Sequence, residues 1–150
     1  MEAASPQCRC LQCRQVRLLR PGFPGIRALQ LSPDKKRLAM INVGDGGYEL
    51  WTGTNEPLVL DRRWVVEAPH AMASPVYSPD GRRICVPLLG PMPGLHIVDQ
   101  TCVPYRITRG HDLDPRWTRT GRRICFYRVD NGITLLLSAP AHTADEAAAA

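Results

Sequence analysis

An all-β repeat architecture is predicted by three features of this 150-residue chain. A turn-and-strand phrase recurs three times, opening at Leu31, Tyr77 and Trp117, so 46 and then 40 residues apart. A β-prone run and a glycine-containing turn follow each copy. No segment has convincing helical periodicity, and 14 prolines and 12 glycines argue against long helices. A repeat of this length sets the architecture, because each unit buries its apolar face only against its neighbours.

The elements follow in order. Gln15 to Gly22 reads like Pro104 to Gly110, the fourth-strand segment of a later repeat. A short apolar segment then leads to Leu31 and the turn Ser32-Pro33-Asp34-Lys35. The second copy of this turn, Ser78-Pro79-Asp80-Gly81, is the clearest. There proline presets φ, aspartate can bond its own backbone, and glycine permits positive φ. A basic pair and a β-prone run come next: Leu38 to Val43, Ile84 to Leu89 and Ile124 to Val129. The turns Gly44 to Gly47, Gly90 to Gly94 and Asp130-Asn131-Gly132 predict hairpins. They lead into third strands at Tyr48 to Thr52, Leu95 to Asp99 and Ile133 to Ser138. Fourth strands are expected at Leu58 to Asp61 and Val103 to Thr108.

The second-strand runs are almost continuously apolar, as in a strand covered on both faces. Short antiparallel strands in fours, with the middle strands covered on both sides, describe a propeller blade. The expected fold is therefore a partial β-propeller of about three four-stranded antiparallel blades over residues 15–138. It is flanked by a cysteine-containing tail, 1–14, and an Ala-rich tail, 139–150, expected to be disordered.

The phrase Tyr77-Ser78-Pro79-Asp80-Gly81-Arg82-Arg83-Ile84, with the later Gly94 to Asp99, resembles the TolB-type (WD-like) propeller repeat. The second copy matches closely. The first has Lys35 in place of the turn glycine and Leu31 in place of the aromatic residue. The third has Arg119-Thr120 in place of Pro-Asp. The resemblance covers roughly residues 15–138. It implies a propeller fold, and it extends to Tol-Pal envelope propellers, to propellers attached to serine peptidases of the prolyl oligopeptidase type, and to some sugar lyases. Such a fold does not choose a function.

Three blades fall short of the usual four to eight. The third repeat stops after its third strand, and the chain opens with a fourth-strand segment. Two arrangements fit: a piece of a longer propeller, or a homodimer whose head-to-tail copies close a six-blade ring, the family's common number. In the dimer, Val16 to Arg20 of each copy would complete the third blade of the other.

Met1 to Arg20 has no apolar core typical of a secretory signal, and no run of 18 apolar residues occurs. The chain as written is expected in the cytoplasm, and in the periplasm only with an upstream segment. No membrane partner is expected. Six cysteines without a signal suit a reducing compartment. Net charge is +5, partly from Arg pairs at 62–63, 82–83 and 122–123. The last two pairs would form a charged ring of solvated turn residues. No aromatic residues interleave with the basic ones, so a nucleic-acid partner is not expected.

Candidate chemistry is sparse. Cys8, Cys10 and Cys13 could share a zinc ion, but a fourth ligand is not visible nearby; the alternative is a tail with unpaired thiols. No other cofactor is expected. Cys85 and Cys125 hold one position in two repeats and read as small apolar fillers rather than a disulfide, since equivalent positions lie about a blade apart. His70 precedes the second repeat, and His111, Asp112 and Asp114 precede the third. In a propeller these loops reach one face, where such side chains could bind a ligand or a metal; otherwise they terminate turns. Trp51 and Trp117 read as packing residues, and Trp64 lies in an interblade linker whose role stays open. There is no nucleophile elbow, phosphate loop or zincin helix. The leading expectation is a non-enzymatic scaffold for protein–protein contact. The alternative is the propeller part of a serine peptidase or a metal-assisted sugar lyase, without its catalytic part.

Overall fold

The turn that opens each repeat is held by its own side chains. In the computed structural model, which describes residues 22–101 and 103–142, the Ser78 hydroxyl donates to Asp80 Oδ1 at 2.6 Å and accepts the Arg83 amide at 3.0 Å. Asp80 Oδ1 also accepts the Arg82 amide at 3.0 Å. Ser32 and Asp34 repeat the arrangement at 2.6, 3.0 and 2.9 Å. The serine hydroxyls, with the backbone amides, hold both carboxyls below the usual aspartate range. The third turn keeps only the first half: Thr118 Oγ1 accepts the Arg123 amide at 3.2 Å. All three turns place one residue in the left-handed region, Gly81 at φ 72°, Gly121 at 70° and Lys35 at 65°. Only the first does so with a side chain.

Among the described residues twelve strands follow from these turns: β1 Ile26–Leu31, β2 Arg37–Gly44, β3 Gly47–Asn55, β4 Leu58–Val66, β5 Ala71–Met72, β6 Val76–Tyr77, β7 Ile84–Leu89, β8 Gly94–Val98, β9 Tyr105–Arg106, β10 Asp112–Trp117, β11 Arg123–Asp130 and β12 Ile133–Pro140. They form three antiparallel sheets, and the described residues contain no helix. The first sheet runs β1-β2-β3-β4. The second runs β5-β7-β8-β9 with β6 also on β7. The third runs β10-β11-β12. The fold is all-β, a partial propeller of three blades. In the second blade the inner strand is split because Pro75 has no amide to donate; Ala73 N still reaches Pro87 O at 2.9 Å.

The expected strands are present with adjustments. β4 continues to Val66, so Trp64 lies in a strand rather than a linker. β9 is only two residues long, within the expected 103–108 segment. β12 extends two residues beyond Ser138, and Ala141 is fully buried. The Val16 to Arg20 segment, Cys102 and residues 143–150 lie outside the described residues.

Alternation along each strand decides which neighbour a side chain meets. Ala39, Ile41 and Leu50 of the first blade pack on Tyr77, Ile84, Val86 and Val98 of the second. Cys85, Leu95 and Ile97 of the second pack on Ile124 and Phe126 of the third. A third cluster, Leu38, Met40 and Leu60 with Phe23, Trp51 and Leu58, covers part of the first blade's outward face. Each fully buried leucine or isoleucine contributes about 2 kcal/mol by leaving water, so these junctions hold the blades together.

Side chains also tie the blades. Arg83 is not a solvated turn residue. Its guanidinium donates to Gly121 O and Ala141 O, each at 2.7 Å, and lies 4.8 Å over the Trp117 ring. The Trp117 indole N–H donates to Val76 O at 3.0 Å. Arg83 thus leaves the expected ring of solvated arginines for an interblade clamp, because the fork of a guanidinium matches two carbonyls and stacks on an aromatic face, while Arg82, Arg122 and Arg123 stay exposed.

Candidate functional site

The loop into the third blade carries three of the residues singled out by sequence. Asp112 begins β10 opposite Arg128 of β11. Its carboxylate is fully buried and accepts from Arg128 Nε at 2.6 Å and Nη2 at 2.9 Å. This two-pronged bond raises the Arg128 pKa and commits both oxygens of Asp112 to holding the strand pair. Asp114, at φ 49°, is exposed and accepts from Arg116 Nη2 at 2.9 Å. His111 is exposed. His70 precedes β5, and its amide donates to Glu67 O at 3.0 Å.

Asp114 lines an open groove of about 330 Å³ with Gln30 of β1, Val76 of β6, and Arg116 and Tyr127 of the third blade. The groove therefore runs past the inner strands of all three blades, and only Asp114 of the four loop candidates lines it. Among the described residues, no three His, Cys, Asp or Glu side chains gather as a metal site requires. Cys8, Cys10 and Cys13 lie outside the described residues. Cys85 and Cys125 are free thiols. Burial pushes the Cys85 thiol pKa far above its usual value, as expected of a filler rather than a nucleophile.

A second polar centre was not singled out by sequence. Buried Glu49 accepts from the Trp51 indole at 2.9 Å, Asn42 Nδ2 at 3.0 Å and Arg62 Nη1 at 3.3 Å. The indole bond is the main cause of its lowered pKa. With its donors in place, Glu49 braces the outward face of the first blade. The alternation Asn42, Glu49, Trp51 on paired strands was the available signal.

The most distinctive surface is apolar. Leu50, Leu95 and Leu136 hold one position of the repeat: each faces the residue three beyond Leu38, Ile84 or Ile124 on the neighbouring strand. Leu50 and Leu95 are 0% exposed, and Leu136 is 83% exposed. Ala39 and Cys85 are likewise fully buried, whereas the equivalent Cys125 is half-buried. Ile41 and Pro87 are buried, whereas the equivalent Tyr127 is exposed. A side chain on the third blade's outer face thus occupies a core position without a core around it.

The architecture is that of known propellers. The chain is similar to TolB from Acinetobacter baumannii, with a TM-score of 0.66 at 19% identity over 79% of this chain and 30% of that one. It is similar to a TolB-like protein from Agrobacterium tumefaciens, with a TM-score of 0.65 at 20% identity over 83% of this chain and 48% of that one. It also resembles an oligogalacturonate lyase in complex with manganese, with a TM-score of 0.67 at 15% identity over 85% of this chain and 38% of that one. The chain spans less than half the length of each. No protein-family model and no curated protein sequence matches it. The fold is a TolB-like propeller, present in part.

Proposed function

We propose that the chain is a non-enzymatic partial propeller that works by protein–protein contact. The observation that carries this reading is the 83% exposure of Leu136 at a position fully buried in the other two blades. Tyr127 and Val129 stand exposed on the same face as Leu136, and contiguous exposed apolar patches mark sites of association. The loop residues that suggested chemistry support the same reading, since Asp112 is engaged by Arg128 and Asp114 by Arg116. The alternative, part of a serine peptidase or of a metal-assisted lyase, draws support from fold likeness alone, and fold does not carry chemistry.

A photoreactive amino acid placed at position 136, and separately at the exposed turn position 119, tests the proposal in the expressing cell. Light-dependent adducts to protein are expected at 136 far in excess of those at 119. Equal adducts at the two positions, or none, would overturn the reading.

A further inference from the structure

We infer that the junction between the first and second blades holds a binding site for one phosphate group, either free or carried on a small molecule. The site is separate from the exposed face of the third blade and does not depend on the contact function proposed above.

The two blade junctions are built from the same repeat positions and end differently. At the second, Arg83 lies over Trp117 and donates to the carbonyls of Gly121 and Ala141, and the Trp117 indole is engaged by Val76 O. The strand registers place Arg37, Tyr77, Gly81 and Gln100 at the corresponding positions of the first junction. There all four line a pocket of about 30 Å³. Such a volume takes about two or three water-sized groups, close to the bulk of one phosphate.

The charge of the lining selects an anion. Three arginines contribute to it: Arg37 of β2, Arg63 of β4 and Arg82 of the second turn. Arg63 Nε donates to the buried Thr52 Oγ1 at 3.1 Å, which holds the guanidinium at the wall. The carboxylate of the lining is Asp99, and its Oδ1 is taken by the amide and hydroxyl of Thr101. Three guanidiniums against one carboxylate leave two positive charges.

Tyr77 points to the same ligand independently. It is 7% exposed, and its hydroxyl has no hydrogen-bond partner among the described residues. Burial raises its pKa and the charge of Arg37 works against that rise, so the hydroxyl and this guanidinium are neighbours. A buried hydroxyl is costly to fold around unless something accepts its proton. A phosphate oxygen does so, while the arginines donate to the other oxygens and a doubly charged anion balances the surplus. A carboxylate would leave one positive charge unbalanced.

Isothermal titration calorimetry on the full chain at low ionic strength tests this, with inorganic phosphate and, separately, glycerol 3-phosphate as probes. One site per chain is expected. Tyr77→Phe removes only the unpaired hydroxyl, so circular dichroism should stay unchanged while binding weakens about tenfold. Arg37→Gln should weaken binding by about tenfold or more. Arg122→Gln, which removes one exposed charge from the third turn, should leave it unchanged. Tighter binding of glycerol 3-phosphate would support the site and assign it a phosphorylated small molecule; tighter binding of inorganic phosphate would support it and assign the free anion. No saturable binding of either probe overturns the inference. Equal weakening by Arg122→Gln and Arg37→Gln, with no effect of Tyr77→Phe, also overturns it, because the anion would then be drawn by net charge alone.

Discussion

Lys35 shows most sharply what one residue costs in this repeat. Its backbone sits at φ 65°, where Gly81 and Gly121 sit at 72° and 70°. The left-handed region brings Cβ close to the following carbonyl, and glycine has no Cβ. Lys35→Gly is therefore expected to stabilise the chain by about 1 kcal/mol, read as a higher urea midpoint. An unchanged or lower midpoint would show that the turn is held differently. The defect was legible in sequence as a missing glycine within an otherwise intact Ser-Pro-Asp turn. The role of Arg83 was not, because the second residue of a basic pair reads as solvated until the neighbouring turn and Trp117 are placed beside it. Asp112 was visible as a candidate ligand, but its partner Arg128 is sixteen residues away, and only the strand register brings the two together.

Elements meet at the blade junctions, and one junction carries a titratable group. His96 of β8 faces the first blade, its ring 5.1 Å from that of Trp64. Burial lowers its pKa from 6.5, Arg106 adds to the effect, and the bond to Gly94 O opposes it. A folded pKa below the unfolded one means that the unfolded chain holds more protons between the two values. Stability is then fully present above about 6.5 and falls as pH drops toward the folded pKa. The carboxyls of Asp34, Glu49 and Asp80 act with the same sign, but in a separate window below about 4.5. Melting temperature should fall in the wild type from pH ~7 to pH ~5.5, with a flatter profile for His96→Gln. A wild type as flat as the variant would remove His96 from the account. The strand order was readable from glycine turns and apolar runs. The length of β4 was not, because Arg62 and Arg63 interrupt its pattern and mask the strand that carries Trp64 over His96.

Across the whole molecule, three similar sheets differ in what covers them. The sequence runs at Leu38, Ile84 and Ile124 are alike, and from them each blade is expected to be covered on both faces. The structure realises this for the middle blade. Among the described residues the third blade is covered on one face only, and Leu136 stands exposed in an apolar run, Leu135 to Leu137, that reads like core. Composition could not reveal this, since the difference lies in the neighbour and not in the strand. Local opening should follow cover, because backbone amides beneath two packed faces exchange slowly and those on a free edge exchange fast.

Site-resolved amide hydrogen exchange on the Leu136→Arg chain, which keeps the end face unpaired, tests this most directly. The slowest exchange is predicted in β7 and β8 of the middle blade, faster exchange in β11, and the fastest among these strands in β12. Protection of β12 equal to that of β8 in a single chain, or loss of β7 and β8 amides first, would contradict a three-blade partial propeller with an open end.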